Sequence, residues 1–170
     1  LAACNEIGCR RLAAMLDEYR LRDIEALGQH VIERSRAAML AAIREWPQGS
    51  YENVLDMDGY ERPVRLCARL TISRTGIDID FSATSGVSSF GINVPKSYTD
   101  AYTSFGVRCI IGATIPNNAG SLSVVRVQAP QGCILNAPFP LAVAARSIIG
   151  QMLPDVVFGC LRQARPGVPA

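Results

Sequence analysis

Histidine is almost missing from this chain: His30 is the only one in 170 residues. A metal site built on imidazoles needs several convergent ligands, and a Ser-His-Asp relay needs a histidine beside its nucleophile. Neither fits this stretch. His30 lies next to the apolar stripe of a predicted helix and reads as a surface or capping residue. Lysine is equally scarce. Gly86 and Gly91 have the spacing of a phosphate loop, but Ile92 follows the second glycine and the only lysine, Lys96, lies five positions on. In such a loop the lysine must follow the second glycine at once to reach the phosphates, so the pattern is rejected. No Gly-x-Ser-x-Gly elbow and no Gly-x-Gly-x-x-Gly fingerprint occurs.

Long hydrophobic runs are lacking too. Arg108, Arg146, Gly150 and Pro154 interrupt the most apolar stretches, which excludes a membrane-spanning helix. The first eleven residues are mixed polar and end in Arg10-Arg11, unlike an export signal. Six cysteines occur, but none in a Cys-x-x-Cys or zinc-type pairing. Most sit in apolar stretches, where a free thiol behaves as a small hydrophobe. The expectation is a soluble protein of a reducing cytoplasm.

Acids nearly vanish after residue 80. Residues 1–80 hold thirteen of the fifteen acids, whereas 81–170 hold only Asp100 and Asp155, with Lys96, Arg108, Arg126, Arg146, Arg162 and Arg165 as bases. A net charge of +2 gives no footprint for nucleic acid. A sparsely charged second half suits a surface covered by other protein, and an oligomer is expected. The chain begins with Leu rather than Met, and the expectation is one domain, 1–170, or a piece of a longer polypeptide.

What is present reads as an α+β unit: a small antiparallel sheet packed by N-terminal, central and C-terminal helices. Residues 5–20 suit a short helix. A longer one begins near Asp23, with Ile24, Leu27, Val31, Ala38, Met39, Ala42 and Trp46 at helical spacing, and stops at Pro47. Val64, Leu66, Ala68, Leu70 and Ile72 alternate with polar residues. After a turn at 74–76, Ile77, Ile79 and Phe81 alternate with Asp78 and Asp80. This predicts a hairpin over 63–82 with one apolar face and one face of Arg opposite Asp. A central helix follows, with Tyr98, Ala101, Tyr102, Phe105 and Cys109 on one face and Gly112 near its end. A short strand at 122–128 and a helical stretch at 141–162, kinked or restarted at Pro154, complete the chain.

Chemistry-bearing residues are few. Asp78 and Asp80 are two apart on a strand and share a face. They suit a cation or a substrate ammonium, or else pairing with Arg65 or Arg69 across the hairpin. Asp80-x-Ser82, with Thr84 and Ser85, forms a local turn or presents hydroxyls at a site. Asn93, Asn117, Asn118 and Asn136 all lie in loops rich in Pro and Gly, where asparagine forms turns or contacts ligand. Arg146, in an apolar stretch, either pairs with Asp155 or Asp100 or binds an anion at an interface.

Several ordered motifs carry a resemblance. They are Asp80-Phe-Ser82-x-Thr84-Ser85, Arg108-Cys109, Ile115-Pro-Asn-x-Ala-Gly120, Pro130-x-Gly132-x-x-Leu135-Asn136-x-Pro138-x-Pro140, Val143-Ala-Ala-Arg146 and Asp155-Val-Val-Phe-Gly159. Together they resemble the hydantoinase B / 5-oxoprolinase family, which includes subunits of ATP-dependent ketone carboxylases. The resemblance implies a much longer parent that opens cyclic amides such as hydantoins and 5-oxoproline. It would use ATP and a divalent metal, with an ATP-binding hydantoinase A-type subunit or domain as partner. In such chemistry ATP activates an unreactive carbonyl or its enol by phosphorylation. The family's His-rich metal segment lies upstream of the matched region, so no metal or ATP site is expected within this stretch and no catalytic residue is assigned. Where many relatives carry His after the arginine of the last helix, or a Gly-Asn-x-Glu-Thr-Ser segment, this chain has Ser147 followed by Ile-Ile-Gly150. Asp80, Ser82, Asn93, Asn117, Asn136 and Arg146 are the expected site-facing residues, shaping loops or holding polar substrate groups. A ketone carboxylase subunit and a non-catalytic docking scaffold are the alternatives.

Overall fold

The computed structural model describes residues 1–168; Pro169, the last residue of the Pro166-Gly167-Val168-Pro169 segment that also resembles the family, and Ala170 lie outside the described residues. Two helices lead, α1 (Ala2–Glu18) and α2 (Glu25–Arg44). The strands β1 (Gly49–Met57), β2 (Val64–Ser73) and β3 (Gly76–Asp80) follow. After a long connection come α3 (Lys96–Ile110), the short α4 (Ala119–Leu122) and β4 (Val125–Gln128). A second loop region leads to α5 (Ser147–Gly150) and α6 (Leu153–Ala164).

The sheet order is β1-β2-β3-β4. The first three strands are antiparallel, as the alternation requires, but β4 runs parallel to β3. The sheet is therefore mixed. The residues between β3 and β4 include α3, and that crossover is what allows a parallel return. The hairpin expected over 63–82 is present as β2–β3. Residues 51–57, outside that expected hairpin, extend it as part of β1, with Glu52 opposite Arg69 and Asp56 opposite Arg65.

Period-two alternation decides the two faces. Val64, Leu66, Ala68, Leu70 and Ile72 are buried, as are Ile77 and Ile79. They meet α6, whose Leu153, Val156, Val157, Cys160 and Leu161 are buried, together with Met39 and Ile43 of α2. Asn53 donates to the Val156 carbonyl (3.1 Å), and tight seating at Gly159 brings that side chain against α6. The opposite face of the sheet carries Glu52, Asp56, Arg65, Arg69, Asp78 and Arg126, all exposed or half-exposed. All helices that contact the sheet serve the apolar face, so the charged face is open.

Three helical expectations change. In α2 the buried residues are Ser35, Met39 and Ile43, whereas Ile24, Leu27 and Val31 are exposed; the buried stripe is rotated and begins only at Ser35. In α3 the expected face is split. Thr99, Thr103, Ser104, Gly106 and Val107 are buried, Tyr98 and Tyr102 are half-buried against the core, and Ala101, Phe105 and Cys109 are exposed. The cause is close helix crossing: a Cβ on Gly106 would lie 2.9 Å from Pro154 Cα, so only a small-residue face fits against α6. The stretch 141–146 is not helical, and Pro154 sits in the first turn of α6 rather than kinking a long helix, because its missing N–H costs nothing there.

Candidate functional site on the open sheet face

The open face is a ladder of ion pairs. Arg65 grips Asp56 with Nε at 2.7 Å and Nη2 at 2.9 Å. Arg126 grips Asp78 with Nε at 2.6 Å and Nη2 at 2.7 Å. Each guanidinium is held charged by its carboxylate, and the Asp56 carboxyl is held below the usual range by the Arg65 hydrogen bond. The expected pairing of Asp78 and Asp80 with Arg65 or Arg69 is thus corrected. The aspartate face is right, but the arginines of β2 turn to β1, and Asp78 is taken by β4.

Between these rungs lies a cleft of about 390 Å³, lined by Glu52, Val54, Cys67, Arg69, Asp80, Ser82 and Ala83. Register builds it. Glu52 pairs with Arg69 across β1–β2, and Arg69 pairs with Asp80 across β2–β3, giving one row of three charges. Arg69 donates to Glu52 only through Nε, at 2.7 Å. Asp80 accepts the Ser82 amide at 2.9 Å and the Ser82 hydroxyl at 2.5 Å, both on Oδ1. The local turn foreseen at Asp80-x-Ser82 therefore forms, and it also presents these side chains at a concavity. Glu52, and then Asp80, raise the pKa of the Arg69 guanidinium. Burial pushes the Cys67 thiol up, so it remains protonated and is no nucleophile at neutral pH.

The other expected site residues are dispersed. Asn117 is exposed on a second cavity of about 450 Å³, with Asp100, Ser104, Phe105, Arg108 and Leu122. There the Arg108 guanidinium donates to the Gly112 and Ile115 carbonyls, and Nη1 is buried without a partner. Asn93 is fully buried. Its amide donates to the carbonyls of Ser88, Phe90 and Ala142, and its oxygen accepts the Ser88 amide. Its amide nitrogen and its amide oxygen are both engaged inside the protein. Asn136 is half-buried and donates to the Ala129 carbonyl at 2.8 Å, closing the 129–136 loop. Asn118 caps α4. Arg146 is exposed rather than buried, lies 5.9 Å from the Tyr98 ring centre and bonds its own neighbour Val143. It reaches neither Asp155 nor Asp100; Asp100 is paired with Lys96.

Glu52 and Arg69 are the cleft residues that the motif reading did not select. Glu52, Val54 and Asp56 do alternate like strand residues, but which strand they pair with is a tertiary matter. Among the described residues no three His, Cys, Asp or Glu side chains come together as a metal site. The donors of this stretch do not fit a divalent ion, and no metal-dependent step is assigned to them. Among the described residues no helix is long and apolar enough to cross a membrane.

The arrangement is that of a helix-backed mixed sheet whose open face carries a polar cleft. Comparison with known proteins gives it a family. The hydantoinase B/oxoprolinase family matches residues 1–170, and the chain belongs to that family. It is similar to the B-type subunit of a putative D-/L-hydantoinase from Pseudomonas sp. (strain NS671), with 25% identity over 178 residues, covering 96% of this chain and 30% of the relative. Its fold is similar to that of the ATP-dependent caprolactamase from Pseudomonas jessenii, with a TM-score of 0.83, 22% identity, and 96% of this chain and 29% of that one covered. A nucleotide-free acetone carboxylase structure matches with a TM-score of 0.76, 14% identity and coverage of 89% and 22%. At these identities the structural likeness speaks to the fold. The chain spans under a third of the length of these relatives.

Proposed function

We propose that this chain forms one domain of a hydantoinase B-type subunit of an ATP-dependent amidohydrolase that opens a five-membered cyclic amide of the hydantoin or 5-oxoproline type. The observation that carries this reading is family membership along the whole of residues 1–170. Its partner is an ATP-binding hydantoinase A-type subunit or domain. ATP and a divalent metal are the cofactors of that assembly. An amide carbonyl is a poor electrophile, and ATP supplies the driving force that plain hydrolysis lacks.

Within this domain Asp80 and Ser82 are the residues placed to meet substrate, on the open sheet face. Asn93 and Asn136 hold the loops. Asn117 and Arg146 stand apart from the cleft. The likeness to acetone carboxylase favours a second reading, a ketone carboxylase subunit that consumes bicarbonate. The exposed Phe105 of α3, in the sparsely charged second half of the chain, favours a third, a docking scaffold.

The deciding measurement is ADP release by the intact protein with its partner subunit. Stimulation by hydantoin or 5-oxoproline is expected. Stimulation only by a ketone with bicarbonate would replace the hydrolase reading by the carboxylase one.

A further inference from the structure

The two outer ion pairs of the open face are two-pronged, and the one in the cleft is not. Arg65 and Arg126 each spend Nε and Nη2 on one carboxylate. Arg69 spends only Nε, so among the described residues neither of its Nη groups has a partner. Among the described residues Asp80 is likewise the only acid of this face that no arginine grips, and its Oδ2 is unused because both Ser82 bonds fall on Oδ1. Glu52 keeps its second oxygen free. A strong donor and a strong acceptor, on residues directly opposite each other in β2 and β3, therefore both stand open on one cleft. Val54, Cys67 and Ala83, small or apolar side chains, line the same cleft.

We infer that this cleft binds the N–H/C=O edge of a small cyclic amide, with Arg69 Nη donating to the ring carbonyl and Asp80 Oδ2 accepting the ring N–H. This rests on the amidohydrolase reading above and deepens it by giving the substrate a place and a selectivity. A lactam or ureide ring presents one acceptor and one donor on adjacent atoms, one for each of these two side chains. A ketone presents only the acceptor and would leave the Asp80 carboxylate without the hydrogen bond the site offers. Sites built around a substrate N–H reject analogues that lack it. The local charge favours the closed ring as well. Glu52 and Asp80 outweigh Arg69 by one negative charge, so the carboxylate created on ring opening is repelled and the product leaves. The Glu52–Arg69 pair is more than half exposed, with side chains 63% and 62% accessible. Such a pair contributes little to stability, and Arg69 can reorient toward a ligand at small cost.

The test is equilibrium binding to the native full-length protein by calorimetry, using hydantoin, N,N′-dimethylhydantoin and cyclopentanone. Hydantoin is expected to bind about tenfold or more tightly than either analogue, since each lacks the N–H that a charged acceptor would take. Asp80→Asn keeps Oδ1 for the Ser82 turn and changes only the free oxygen. Together with Arg69→Met it is expected to weaken hydantoin about tenfold, and Asp80→Asn should erase the preference over the dimethyl compound. The analogue comparison needs no variant, so a misfolded mutant cannot obscure it. Equal binding of hydantoin and its dimethyl analogue to the wild type overturns the inference. So does unaltered hydantoin binding in both variants. If hydantoin drives ADP release equally in wild type and variants, the cleft assignment fails while the hydrolase reading stands. If no cyclic amide binds or drives ADP release, both fall.

Discussion

Asn93 shows how a residue type can be read correctly as special and still do something other than contact ligand. Beside Pro95 and Gly91 it reads as a loop asparagine facing a site. The structure buries it and surrounds it with the carbonyls of Ser88, Phe90 and Ala142, which only a side-chain amide can satisfy together with the Ser88 N–H. Alanine there takes the partner from four backbone groups, two of them on buried Ser88, and is expected to cost about 3 kcal/mol in urea unfolding; a change below ~0.5 kcal/mol would show that the loop does not depend on it. The thiols give a second prediction at this scale. Burial raises Cys133 and pushes Cys160 up to about 12, whereas Cys4, Cys9 and Cys109 are exposed. An aromatic disulfide reagent at pH 8 is expected to label those three quickly and the buried pair only on unfolding. The folded state keeps the Cys160 proton where the unfolded chain releases it. Its contribution is therefore complete below the ordinary thiol value of 9.0 and is lost as pH rises from there towards about 12. Of the six expected site residues, Asp80 and Ser82 share a cleft because a two-residue turn fixes them locally. The remaining four are scattered because loops 93–95, 115–118, 136–140 and 143–146 are brought to their places by different helices.

Among the elements, the β2–β3 hairpin was the most legible, since alternation over Val64–Phe81 fixes both its period and its faces. The helices were legible in position but less so in rotation. In α3 the apolar pattern marks one face, yet packing seats the small side on α6, which approaches too closely for anything larger than Gly106, and leaves Tyr98 and Tyr102 half-buried and Phe105 exposed. The same logic governs α4. A Cβ on Gly120 would stand 1.9 Å from the Ile32 carbonyl oxygen of α2, so this glycine allows two helix backbones to touch. Gly120→Ala is expected to destabilise by about 3 kcal/mol, read from the shift of a denaturation midpoint, because backbone must move to admit the methyl. A loss under ~0.5 kcal/mol would mean α4 is free to slide away. At the C-terminal end, Arg165 lies 4.3 Å from the Trp46 ring centre and donates to the Glu45 carbonyl, tying the end of α6 to the end of α2.

For the molecule as a whole, stability and exposure are unevenly divided. The core joins β2, β3, α3, α6 and the second half of α2, while α1 buries no residue. Removing residues 1–18 is accordingly expected to change unfolding free energy by less than ~0.5 kcal/mol, measured by urea denaturation; a larger loss would show that α1 braces the core. The open charged sheet face and the exposed Phe105 of α3 are surfaces left for contacts, in keeping with a chain that spans under a third of its relatives. The sequence by itself determined the α+β class, the hairpin and its two faces, the family, and the Asp80–Ser82 turn. All of these depend on residues adjacent in the chain or on a repeating period. Tertiary structure alone decided that β4 runs parallel to β3, that α3 seats its small side on α6, and that Glu52 and Arg69 join Asp80 in one cleft. Those outcomes depend on strand register and on how closely helices approach, which are set between distant segments and leave no mark in local spacing.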